Sequence, residues 1–114
     1  MTFSYEGIGE WCATFGCGEV TEGAVVKMDG SGAVKACSAG DAFIGAVRAI
    51  GHDGRACSVQ LGGMAKVSFT GTAPAAGYAK LAANGSGGVS ANNAGASYLV
   101  AEVNEADQTL TIKL

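Results

Sequence analysis

The side chains that usually carry chemistry are few in this sequence. Its one histidine, His52, stands in Gly51-His52-Asp53-Gly54, with Ser58 a short way downstream. Serine, histidine and aspartate are the parts of a nucleophilic triad, in which the histidine takes the serine proton and the aspartate orients the ring. Here the histidine and the aspartate are neighbours in a Gly-flanked turn, so their side chains point apart and that geometry is missing. The tract reads as a solvated turn. The carboxylates are dispersed; Glu105 and Asp107 share a short stretch but lack the string of oxygen ligands that a calcium loop needs. Cys12, Cys17, Cys37 and Cys57 are separated by four, nineteen and nineteen residues, unlike the short paired spacings of a thiolate zinc site. Free thiols are expected, with Cys37 and Cys57 as small buried hydrophobes. Cys12 and Cys17 would face each other if the stretch between them were a hairpin. Gly85-Ser86-Gly87-Gly88 and Gly30-Ser31-Gly32 share only glycine content with phosphate-binding loops, without the Gly-Lys-Ser/Thr sequence or a βαβ unit around them. No catalytic residue, metal site or cofactor is expected, and the chain is read as a non-enzyme.

Composition sets the class of structure that these residues sit in. The 114 residues make one domain, and 48% hydrophobic content is enough for a core. With aromatics at only 7%, that core must be built from Ala and Val, which suits thin β-layers. Charged residues make up 15%, against about 25% in ordinary soluble domains. Such a sparse surface fits a component of an assembly. The net charge of −3, with basic residues scattered singly, excludes the Lys/Arg stripe that nucleic acid requires. No apolar run reaches the ~20 residues of a membrane-spanning helix, and residues 1–20 lack a signal-peptide pattern. Synthesis in the cytosol, with neither a nucleic-acid nor a membrane partner, is expected.

The elements follow from turn signals and alternation. Asp29-Gly30, Asp53-Gly54 and Asn84-Gly85 punctuate β-branched runs, and these dipeptides suit type I′ hairpin turns. Residues 24–28 and 33–37 flank the first, and 42–50 and 56–61 the second. Gly45 in mid-strand predicts a bulge or a close packing contact. Gly62-Gly63 opens a further turn before 64–70, where Val67 and Phe69 alternate with Lys66, Ser68 and Thr70. Pro74 marks an irregular crossing loop. Residues 78–83 have helix-forming composition but are too short for a stable helix and precede Asn84-Gly85, so they read as a strand. Residues 98–103 and 109–114 are the clearest strands, with Leu110, Ile112 and Leu114 on one face. The fold class is all-β, a small barrel or sandwich of short antiparallel hairpins. Residues 1–19 hold half the aromatics, Phe3, Tyr5, Trp11 and Phe15, interrupted by glycines. They read as an N-terminal arm, or as a first strand covering one end of a barrel, beside a β-rich domain spanning 20–114. On the arm reading, deleting 1–19 leaves the body folded.

The succession VQLGGMAKVSFTGTAPAAGYAKL, ANGSGGV and ASYLVAEVNEADQTLTIKL, preceded by GAVVKMDGSGAVKACSAGDAFIGAV, resembles small structural proteins of tailed phages and prophages. These are capsid decoration (cement) proteins, similar in style to the trimeric head-stabilising proteins of lambda-like phages. The resemblance covers about residues 20–114, rests on turn glycines and strand patterns, and carries over no catalytic residue. It implies a homotrimer bound between major capsid protein subunits on the virion surface, made in the host bacterial cytoplasm. Phe3, Tyr5, Trp11 and Phe15 are then the expected partner-binding residues, since aromatics near a terminus favour interfaces. The alternative from the residues is a small β-domain on a tail or fibre that binds carbohydrate or another small ligand, with Trp11, Tyr78 and Tyr98 as a stacking surface.

Overall fold

A computed structural model describes residues 10–114, which form ten strands and, among the described residues, no helix. The strands are β1 (Trp11–Cys17), β2 (Val25–Met28), β3 (Ala33–Ala36), β4 (Gly45–Ile50), β5 (Ala56–Gly62), β6 (Met64–Ser68), β7 (Gly77–Ala83), β8 (Val89–Ala91), β9 (Ala96–Asn104) and β10 (Thr109–Lys113). The all-β class stands. The first five strands close into a barrel in the order β1-β3-β2-β4-β5, and the rest form a sheet in the order β6-β10-β9-β7-β8. Most pairings are antiparallel, but β1 meets β3 in parallel at Gly16↔Ala33 and Cys17↔Val34. That contact and the longer antiparallel one to β5 make β1 the stave that closes the barrel. Of the segment set apart as an arm, residues 11–17 are therefore barrel strand, while Phe3 and Tyr5 lie outside the described residues.

The three Asp-Gly and Asn-Gly sites do join hairpins: β2 to β3, β4 to β5, and β7 to β8. Their turns are not type I′, which needs φ > 0 at both central residues. Only the glycine of each pair is left-handed, Gly30 at φ 85°, Gly54 at 70° and Gly85 at 84°; Gln108 is the one described non-glycine residue with positive φ. The loops are longer, 29–32, 51–55 and 84–88. The side chains of Asp53 and Asn84 organise theirs by accepting backbone N–H groups: Arg55 N at 3.0 Å for Asp53, and Ser86 N at 2.7 Å and Gly88 N at 3.1 Å for Asn84.

The chain does turn at Gly62-Gly63, but into the other sheet rather than back onto β5. β5 belongs to the barrel and β6 to the second sheet, so the chain changes sheets at this point. The junction is held by Gln60, fully buried, whose Nε2 donates to Gly62 O at 2.9 Å and to Met64 O at 2.7 Å.

Two cores share one wall. Val26, Val34, Val47, Cys57 and Val59 fill the barrel. Val25 and Ala46 point the other way, onto Val67, Phe69, Leu81, Val89, Val100, Leu110 and Ile112 of the second sheet. Successive side chains on a strand face opposite sides, so Val25-Val26 of β2 and Ala46-Val47 of β4 bury both faces, as short apolar runs that end at Lys27 and Arg48. Each fully buried Val, Leu, Ile or Phe in the two cores contributes about 1.5–3 kcal/mol by leaving water. Gly45 is a close packing contact: a Cβ there would stand 2.0 Å from Gln60 O. A register shift follows it between Val47 and Ala49. Leu110 and Ile112 are buried in the second core and Leu114 packs against it. A register shift at Thr111/Ile112 accompanies burial of Thr111 as well.

The loop after β3 fastens the two halves. Asp41 accepts hydrogen bonds from Lys27 Nζ and, at 2.8 Å, from Ser38 N. The loop backbone pairs with Ala83 of β7, Gly40 N to Ala83 O at 2.8 Å and Ala83 N to Asp41 O at 2.9 Å. The Lys27 hydrogen bond, helped by Ser38, holds the Asp41 carboxyl below its usual range, and the same bond raises Lys27.

Candidate interaction surface

The sheet change at Gly62-Gly63 gathers a set of side chains that lie far apart in sequence. Trp11 pairs with Gly62 across the β1–β5 ladder. A Cβ on Gly62 would stand 3.3 Å from Trp11 Cε3, so the ring lies over the glycine. Trp11 is nevertheless 67% exposed. Next to it, Glu10 Oε1 accepts from Arg48 Nη1 at 3.1 Å, and the same nitrogen reaches Gln60 Oε1 at 3.3 Å. Gln60 thus joins the surface ion pair to the buried junction.

From this cluster a groove runs along β6. It consists of two neighbouring hollows of about 340 Å³ each that share Glu22, Gly23 and Lys66. One extends to Arg48 and Gln60, the other to Ser68, Ser86 and Thr109. Thr109 Oγ1 is buried there without a hydrogen-bond partner. Among the described residues, neither Glu22 nor Lys66 takes part in an ion pair.

The structure separates the aromatic residues that the sequence grouped. Trp11 is presented to solvent, whereas Phe15 is half-buried and packs on the barrel core. Phe3 and Tyr5 lie outside the described residues. Tyr78 is 78% exposed. In the β7–β9 ladder Tyr78 is opposite Leu99 and Tyr98 opposite Ala79, which places the two tyrosines on opposite faces of the sheet. Tyr98 stacks on Phe43 with ring centroids 4.8 Å apart, and its hydroxyl donates to Phe43 O at 3.4 Å. Trp11, Tyr78 and Tyr98 therefore form no common stacking surface.

The remaining candidates sit where local structure accounts for them. His52 is exposed in the 51–55 loop, while Ser58 lies in β5 opposite Thr14. The Asp53 carboxylate is used by its own turn. Asp107 and Asn104 exchange hydrogen bonds at the tip of the last hairpin, both at 3.1 Å. Among the described residues, no three His, Cys, Asp or Glu side chains stand close enough to hold a metal ion. All four cysteines are free thiols. Cys12 and Cys17 occupy one strand, five positions apart and hence on opposite faces, so they cannot face each other across a hairpin. Cys17 instead meets Cys57 in the barrel core, where burial, helped by the neighbouring Cys17 thiol, pushes the Cys57 thiol up to about 11.

Gln60, Arg48, Lys66 and Glu22 were not singled out in the sequence. Gln60 alternates with Val59 and Leu61 as a solvent-facing position would, and only the sheet change buries it. The sequence matches no family model, and no curated protein matches it.

Proposed function

We propose that this protein is a non-enzymatic phage structural protein that decorates and stabilises the head by binding between major capsid subunits. The observation that carries the reading is Trp11: a large aromatic, two-thirds exposed, seated on Gly62 and fixed in a strand of a closed barrel. Interfaces concentrate their binding energy in a few such aromatic anchors. An anchor already ordered in the free protein loses little conformational entropy on docking. The resemblance of residues 20–114 to decoration proteins supports the same reading, as does a surface with only 15% charged residues in the chain. The working form is a homotrimer, each copy meeting the shell through the Trp11 end.

The test is co-sedimentation of the purified protein with assembled heads of its own phage that lack it, alongside light scattering for solution mass. The expected result is saturable binding by a species three times the 11.2 kDa chain. Trp11→Ala is expected to weaken binding at least tenfold, which is about 1.4 kcal/mol. Absence of wild-type binding to such heads overturns the reading.

A further inference from the structure

The groove beside β6 follows a strand edge that the fold leaves unpaired. Phe69 N donates to Gln108 O and Leu114 N to Gly63 O, both at 2.9 Å. Odd-numbered residues from 63 to 69 thus turn their main chain toward β10. Even-numbered Met64, Lys66, Ser68 and Thr70 turn theirs the other way. The two ends of that outer edge are occupied. Gln60 Nε2 donates to Met64 O at 2.7 Å. At the far end a parallel bridge joins Phe69 to Val89, and Thr70 N donates to Val89 O at 3.1 Å. Gly88 closes over the Ser68 carbonyl, since a Cβ on it would lie 2.5 Å from Ser68 O. Between these stoppers, the N–H and C=O of Lys66 and the N–H of Ser68 have no partner among the described residues. Both residues line the groove.

We infer that this opening receives two or three residues of extended backbone from the partner protein, which add a short strand to β6. The inference rests on the shell-binding reading above and names the groove as a place where the partner's chain docks. Donor and acceptor groups at β spacing are matched by another extended backbone, the mode in which main-chain hydrogen bonds supply affinity and flanking pockets supply specificity. The groove wall opposite β6 has room because Gly23 and Gly87 carry no side chains there. Charge selects the segment further. Arg48 is engaged by Glu10, which leaves Lys66 as the groove's unengaged cation among the described residues. Glu22 lines the same groove and is likewise in no ion pair among the described residues, so the inserted segment carries an acidic side chain toward Lys66 Nζ and a basic one toward Glu22.

Two variants test this on the full chain. Lys66→Pro removes one outward N–H and the ammonium without touching a bond to β10, a position where an edge strand tolerates proline. Ser86→Trp fills the groove from its exposed rim and keeps every backbone group. Heads lacking the protein serve as the probe, with amide hydrogen exchange as a second readout. The expected result is at least tenfold weaker shell binding by both variants, with unchanged solution mass. In the wild type, the Lys66 and Ser68 amides become protected on heads. If Lys66→Pro does not fold, Ser86→Trp decides alone. Binding of the folded variants within twofold of wild type overturns the inference while leaving shell binding intact. A change in solution mass with unchanged shell binding also overturns it, because the occupant is then a second copy of this chain. Failure of the wild type itself to bind heads is the separate outcome that removes the shell-binding reading and this inference with it.

Discussion

Replacing Gln60 by Met tests the claim that one buried amide holds the two sheets in register. The two side chains are close in length and volume, so the substitution removes polar groups with little change in packing. It deletes two donated hydrogen bonds, to Gly62 O at 2.9 Å and to Met64 O at 2.7 Å. Each contributes about 1 kcal/mol net, and a carbonyl left without a partner costs about 1–3 kcal/mol when fully buried. Gly62 and Met64 are only partly buried, so water recovers some of that cost. The lost acceptor for Arg48 adds little, because Arg48 is half-exposed and keeps Glu10. The expected loss is about 2–3 kcal/mol. For a chain of this size it lowers the thermal midpoint by about 4 °C per kcal/mol. Urea and thermal unfolding followed by circular dichroism measure it, with an unchanged denaturant slope showing that the native state is equally compact. A loss below about 1 kcal/mol would refute the reasoning, since the junction would then be held by packing alone.

Gly45→Ala is expected to cost more than about 2 kcal/mol in the same assay, because the added Cβ meets Gln60 O at 2.0 Å; a neutral effect would show that β4 can back away from β5. Asp41 has a depressed folded-state pKa, so its contribution is present above the unfolded carboxyl value and lost as pH falls through the folded value. Urea midpoints measured from pH 6 down to about 2 are expected to fall less steeply in Asp41→Asn than in wild type, and equal slopes would remove Asp41 as a contributor. Lys27 runs oppositely: its raised pKa gives stability present below the unfolded Lys value and lost as pH rises through the folded one. Deleting 1–19 removes β1, opens the barrel and bares the edges of β3 and β5, so loss of the cooperative thermal transition is expected; a folded, monodisperse product would mean that the barrel closes without β1.

Much of the fold is written locally. The glycines after Asp29, Asp53 and Asn84 mark three hairpins because a left-handed residue is needed within each loop, and glycine is the residue that adopts it without strain. The turn type was not legible, because it depends on where the strands stop pairing, which no dipeptide encodes. Val25-Val26 and Ala46-Val47 announce buried strands, but the partner of each face is set by the second sheet. Of the candidate surface, the sequence singled out one residue that the structure exposes, Trp11, by its type. Phe15 has the same chemistry and the same parity on β1 yet serves the barrel, facing Cys57, because the register shift between Trp11 and Cys12 breaks the alternation and sets Trp11 apart. Gln60 carries no local mark at all, since its burial is produced by the sheet change two residues later.

The closed barrel explains why the candidate surface lies along this seam. Closure pairs every stave of the first sheet on both sides, so β1 to β5 offer no free edge. In the second sheet β10, β9 and β7 are interior, and β8 is three residues long and tied to Phe69. β6, which the chain enters directly from β5 of the barrel, stands at the edge of the second sheet with a strand partner on one side, β10. The junction that creates this edge also seats Trp11 on Gly62 and anchors Arg48 on Gln60. The exposed indole and the unpaired backbone groups of β6 therefore arise from the same change of sheet, and on the proposed reading a partner that grips the one is brought beside the other.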